Sequence, residues 1–140
     1  MNNSMLSSAS ALRTHVTKMD VTANNIANVN TNGFQASRVT LTDSFSQTIQ
    51  RARQAANNNA GTNSMQAGSG VSLGSIDRLE TQGAKRIVDG EVEIMSNTDL
   101  AVEMTTMITT QRAFEANARV IPVADEMFEE LANLRQHRQN

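Results

Sequence analysis

Near the start of the chain, Met5, Ala9, Leu12, Val16, Met19, Ala23 and Ile26 follow one another at spacings of 4, 3, 4, 3, 4 and 3 residues. That is the 3.5-residue period of helices that wrap around one another. The positions between them carry Ser, Thr, Asn, Arg13, Lys18 and Asp20, a solvated or weakly contacting face. The pattern predicts a helix that stops near Val29. Two uses of its seam stand side by side: packing onto its own domain, as in any amphipathic helix, or meeting another subunit as well. Asn28, Asn30, Asn32 and Gly33 then favour a turn, and Asn32-Gly33 is a strong turn signal.

The middle of the chain changes period. Phe34 to Phe45 reads as a short extended stretch, with Val39 and Leu41 alternating with polar neighbours, and Phe45 to Arg53 as weakly helical. Residues 54–70, QAANNNAGTNSMQAGSG, are polar and without periodicity, which predicts a flexible linker. Val71, Leu73, Ile76 and Leu79 suggest a strand. Asp89-Gly90 sits between the β-prone Ile87-Val88 and Val92, a two-residue hairpin signal. A small β element between two helices follows from this, too short to be stable alone.

The last segment reads as one long helix. Ser96 is the expected cap, with Asp99 three residues on, and Met95 with Leu100 would form a hydrophobic staple. Its apolar stripe is Leu100, Met104, Met107, Phe114, Ala118, Ile121 and Phe128, interrupted by Gln111 and Asp125. A neighbouring stripe carries Val120, Ala124, Met127, Leu131 and Leu134. Helical from Asn97 to Gln136, it would run about 60 Å. Pro122 lies inside it, and the lost backbone bond and ring clash predict a kink or a break there. A helix of that length has to pack along the other helix or along a neighbour.

These elements predict a mainly α chain. The N- and C-terminal helices would pack as an antiparallel or coiled-coil-like pair, with a small β-hairpin element and a flexible linker between them. The organisation read from the sequence is residues 1–33 as helix and Asn-rich turn, 34–95 as extended or β segment, and 96–140 as the long helix, the two ends forming one discontinuous helical unit.

Composition fits thin helix–helix seams rather than a large core. The chain has 140 residues, of which 39% are hydrophobic and 3% aromatic, with eight Met and no Trp or Tyr. The net charge of −2 is too balanced for a nucleic-acid binder, which needs basic patches. With no cysteine, disulfide and thiolate chemistry are excluded. No run approaches the roughly 18 apolar residues of a membrane span. Met1-Asn2-Asn3-Ser4 shows neither the basic nor the apolar region of a Sec-type signal.

The search for chemistry is nearly empty. His15 and His137 stand one in each terminal segment, without a spacing that suggests a metal site. Asp99 with Glu103, and Asp125 with Glu129, are carboxylates one turn apart, which reads as solvated helix surface. Gly68-Ser69-Gly70 lacks the Gly-Lys-Ser/Thr ending of a phosphate loop. No catalytic residue, metal or cofactor is expected. The unusual local feature is Asn24, Asn25, Asn28, Asn30 and Asn32, five in nine positions of a poor helix former. Asn30 and Asn32 belong to the turn. Asn24 and Asn25 lie beside the seam, where their amides can hydrogen-bond across an interface.

The stretch MDVTANNIANVNTNGFQASRV (Met19 to Val39) closely resembles the N-terminal signature of flagellar basal-body rod and hook proteins. SNTDLAVEMTTMITTQRAFEANARVI (Ser96 to Ile121), continuing into ADEMFEELANL (Ala124 to Leu134), resembles that family's C-terminal signature. GSGVSLGSIDRLETQGA (Gly68 to Ala84) is similar to the stretch that follows in the longer distal-rod and hook-like members, while the length resembles the short proximal-rod members; the rod position stays open. Pro122 departs from the family's uninterrupted helix.

The resemblance implies a structural subunit of the basal-body rod. Its terminal helices would assemble, with copies of itself and with other rod and hook proteins, into a torque-transmitting tube. It also implies export by the flagellar type III apparatus without a cleaved signal peptide; no membrane insertion is expected, because no apolar run is long enough. The expected interface residues are Met5, Leu12, Val16, Met19, Asn24, Asn25, Ile26 and Asn28 on the first helix. On the second they are Leu100, Met104, Met107, Phe114, Ile121 and Phe128. A second reading is a soluble helical adaptor or regulatory paralogue that binds other axial proteins without polymerising.

Overall fold

The structure, a computed structural model, describes residues 3–52 and 61–137. Helix α1 spans Asn3–Ala27 and helix α2 spans Leu100–His137. Between them lie six strands: β1 Ser37–Asp43, β2 Gln47–Gln50, β3 Met65–Ala67, β4 Val71–Arg78, β5 Lys85–Val88 and β6 Glu91–Ile94. They form three antiparallel pairs, β1 with β4, β2 with β3, and β5 with β6.

The expectation of a mainly α chain with one small hairpin is therefore corrected. About half of the described residues are helical and about a quarter lie in strands. The pairs that the sequence pattern hides are polar. In β2, Gln47-Thr48-Ile49-Gln50 shows no alternation and is exposed throughout, so no buried face marks it. The β-branched Thr48 and Ile49 favour extension. The stretch expected to be weakly helical is this strand, and Met65–Ala67, expected within a linker, is its partner. Residues 53–60, the last residue of that helical stretch and the first seven of the linker, lie outside the described residues.

The long pair runs Ser37 against Arg78 through Asp43 against Val71 and slips once, between Thr40 and Leu41. Gly74 is the extra residue there, a β-bulge that bends the ribbon. The β5–β6 hairpin turns at Asp89 and Gly90, whose φ angles of 53° and 87° are those of a type I′ turn.

Asp99, not Ser96, caps α2. Its Oδ1 accepts from the Ala101 N–H at 2.9 Å and from the Val102 N–H at 3.2 Å. Ser96 Oγ turns instead to Thr98, accepting from its N–H at 3.1 Å. Pro122 lies within α2 without ending it. No described helix is long and apolar enough to cross a membrane.

Candidate subunit interface and the asparagine clamp

Asn25, in the last two turns of α1, is 1% exposed, and its side chain joins three elements. Its Nδ2 donates to the Ser37 carbonyl of β1 at 2.7 Å and to Glu103 Oε1 of α2 at 3.1 Å. In return the Ser37 N–H donates to Asn25 Oδ1 at 2.9 Å. The contact with Glu103 sets the C-terminal end of α1 against the N-terminal end of α2, so the helices run antiparallel.

Asn97 does the same from the other side. Its Oδ1 accepts from the Ala36 N–H at 2.7 Å, and its Nδ2 donates to the carbonyls of Leu79 at 3.0 Å and Thr81 at 2.7 Å. Ala36, 1% exposed, is thus pinned between the two amides. Buried polar groups need such partners, and here each amide uses both its donor and its acceptor.

The buried face of α1 is small and polar. Its buried residues are Ser8, Ala11, Thr14, Thr22 and Asn25, and those of α2 are Thr110 and Ala124. Small side chains let two helices approach closely. The helix itself satisfies several hydroxyls and amides. Thr14 Oγ1 donates to the Ser10 carbonyl at 2.8 Å, Thr110 Oγ1 to that of Thr106 at 2.7 Å, and Asn117 Nδ2 to that of Ala113 at 2.9 Å.

The large apolar residues expected in the seam flank this face. Met5, Leu12, Met19 and Ile26 on α1 and Met107, Phe114 and Ile121 on α2 are half-buried, while Val16, Leu100, Met104 and Phe128 are exposed. Asn24 is also exposed. Asn28 is half-buried and local: its Nδ2 donates to the Asn24 carbonyl at 3.0 Å, and its Oδ1 accepts from Thr31 Oγ1 at 3.1 Å. The sequence reading does not single out Asn97 or Thr110, for which hydropathy gives no signal, and it sets Ala124 on the neighbouring stripe. It takes Glu103 for solvated helix surface, whereas the side chain is half-buried and accepts from Asn25.

His15 Nδ1 is buried without a hydrogen-bond partner among the described residues. Burial lowers the histidine's pKa below 6.5, and the nearby Lys18 charge adds to this. The side chain of His137 lies outside the described residues. No group of three His, Asp or Glu residues among those described is arranged to hold a metal ion.

At 1.5 Å per residue α1 is about 37 Å long and α2 about 57 Å. Aligned from Asn25 and Glu103, α1 runs out near Ala124, and the turns of α2 beyond it are exposed on every side as far as residue 135. Val123, Met127, Leu131 and Leu134 line that projecting end. A second uncovered apolar group lies on the β2–β3 ribbon, with Phe45 just before it 97% exposed and Ile49 and Met65 more than half exposed.

Two family models match the chain. One, described as the flagella basal body rod protein, covers residues 5–35; the other, the flagellar basal body rod FlgEFG protein C-terminal, covers residues 93–134. Among similar proteins, the flagellar hook protein FlgE of Borreliella burgdorferi is 48% identical over 84 residues, 60% of this chain and 19% of that protein. The flagellar basal-body rod protein FlgG of Bacillus subtilis is 48% identical over 84 residues, 60% of this chain and 32% of its own. The hook protein FlgE of Treponema pallidum is 38% identical over 103 residues, 74% of this chain and 21% of its own. The chain thus spans about a fifth to a third of the length of these relatives.

Proposed function

The chain belongs to the flagellar rod and hook protein family, and from that premise we propose that it is a structural subunit of the flagellar axis, most specifically of the basal-body rod. One observation carries the reading. The two segments matched by the family models are far apart in sequence, yet they form a single antiparallel helical pair. That pair keeps Leu100, Met104, Phe128 and the end of α2 uncovered.

In this proposal the α1–α2 pair is the assembling unit, and its neighbours are copies of itself and other rod and hook proteins. Leu100, Met104 and Phe128 are already about half covered, so burying the rest of each would contribute roughly half of the 1.5–3 kcal/mol of a full burial. Repeated around and along a tube, such contacts resist twisting and transmit torque. The chain reaches its place through the flagellar type III export apparatus. Its work is mechanical, and no residue has a catalytic role.

Deleting the gene and imaging isolated basal bodies tests this. The expected result is a missing or truncated rod and loss of motility, restored by a plasmid copy. Complete rods with normal motility would contradict it.

A further inference from the structure

Two surfaces at opposite ends of the helical pair complement one another. The first is a cleft of about 270 Å³ where α1, β1 and α2 meet, walled by Val21, Val39, Leu79 and Val102. Lys18 and Arg38 also line it, and neither forms an ion pair among the described residues, where the one ion pair is Arg112 with Glu115. Glu103 is the one carboxylate lining the cleft, and its Oε1 already accepts from Asn25. The cleft therefore combines an apolar wall with two cations and one carboxylate, an excess of one positive charge in its lining, and Asp77 stands opposite Arg38 in the strand register outside that lining.

The second surface is the projecting end of α2. Val123, Met127, Leu131 and Leu134 form its exposed apolar stripe. Asp125, Glu126, Glu129 and Glu130 add four carboxylates, and no basic residue lies between Arg119 and Arg135. Glu126 and Glu130 are one turn apart on the edge of the stripe.

We propose that the acidic, apolar end of α2 from one copy docks on the Lys18–Arg38 cleft of a second copy. This rests on the assembly reading above and specifies which surfaces meet. A cleft of about 270 Å³ has room for one or two side chains but not for a whole helix. Met127 or Leu131 enters between the valines and Leu79, while Glu126 and Glu130 meet Lys18 and Arg38 at the rim. About 30 Å of α2 separates the two surfaces, so the contact is head-to-tail. Such a heterologous contact repeats along a line unless its rotation closes a ring.

Sedimentation velocity of the full chain across concentration tests the pairing by charge exchange. Lys18→Glu with Arg38→Glu, and separately Glu126→Lys with Glu130→Lys, each raise the concentration of half-assembly about tenfold or more, because like charges then meet. Mixing the two variants restores assembly, since each tail again faces a cleft of opposite charge. Arg38→Glu alone, at an exposed position, shows the same direction should the double variant fold poorly. Wild-type assembly that both reversals leave unchanged, or that mixing does not restore, overturns this pairing but leaves the assembly reading intact. A wild-type chain that stays monomeric at every concentration overturns both.

Discussion

Asn25 and Ser37 exchange two hydrogen bonds, 2.7 Å from Asn25 Nδ2 to the Ser37 carbonyl and 2.9 Å from the Ser37 N–H to Asn25 Oδ1. A side-chain amide on a helix here imitates the edge of a neighbouring strand. The residue before Ser37, Ala36, gives its N–H to Asn97, just ahead of α2. The start of the β region is thus gripped by one asparagine from each helical end, and the relative placement of α1, β1 and α2 depends on both.

Replacing Asn25 by Ala leaves the Ser37 N–H without its partner in a part-buried site, and deprives Glu103 of a donor. An unsatisfied buried group costs about 1–3 kcal/mol, and the lost bond to the carboxylate adds to it. Asn25→Asp is worse, because a second carboxylate then faces Glu103. Thermal unfolding followed by circular dichroism should show a midpoint several degrees lower for Asn25→Ala and lower again for Asn25→Asp. Asn24→Ala, at an exposed position, should change little.

Gly83 is fixed by close approach. A methyl group there would overlap the Met95 carbonyl oxygen and lie 2.6 Å from that of Ser96, both backbone atoms that cannot swing aside. Gly83→Ala should cost about 1–3 kcal/mol in denaturant unfolding, the range of overpacking. Gly68→Ala, whose methyl would meet nothing within 4 Å, is the control and should stay close to wild type.

His15 makes stability depend on pH in one direction. Its folded pKa is lowered, chiefly by burial and then by Lys18, so the unfolded chain takes up its proton first. This contribution is fully present above the unfolded value of 6.5 and is lost as pH falls below it. Urea unfolding at about pH 7.5 and about pH 5.5 brackets the window. The wild type should lose more stability between them than His15→Gln, which cannot titrate. Equal losses would assign the effect to other groups.

Met104 and Met107 separate folding from assembly. Met104 is 52% exposed, so Met104→Asp should leave monomer stability within about 0.5 kcal/mol and still abolish assembly. Met107 is half-buried, and Met107→Asp puts a charge at a partly desolvated position, which should lower stability as well. Assembly that survives Met104→Asp would remove that side of α2 from the contact surface.

The heptad from Met5 to Ile26 announces α1, but it does not mark the most buried side of that helix. That side carries Ser8, Ala11, Thr14, Thr22 and Asn25, whose value lies in small size and local hydrogen bonding, properties that a hydropathy pattern does not register. The hairpin turn at Asp89-Gly90 is legible because its backbone needs those residues. The pairing of β2 with β3 is not, since its bonds are between main-chain atoms and its side chains stay in water. Asn97 reads as an ordinary helix-start residue until Ala36, Leu79 and Thr81 are seen around it.

The most direct test of a structural role in the axis is a count of this chain in purified, membrane-stripped basal bodies by isotope-dilution mass spectrometry. The account predicts several copies per basal body, retained with the rod through detergent and salt washes. Recovery in the soluble fraction, or at less than one copy per basal body, would contradict it.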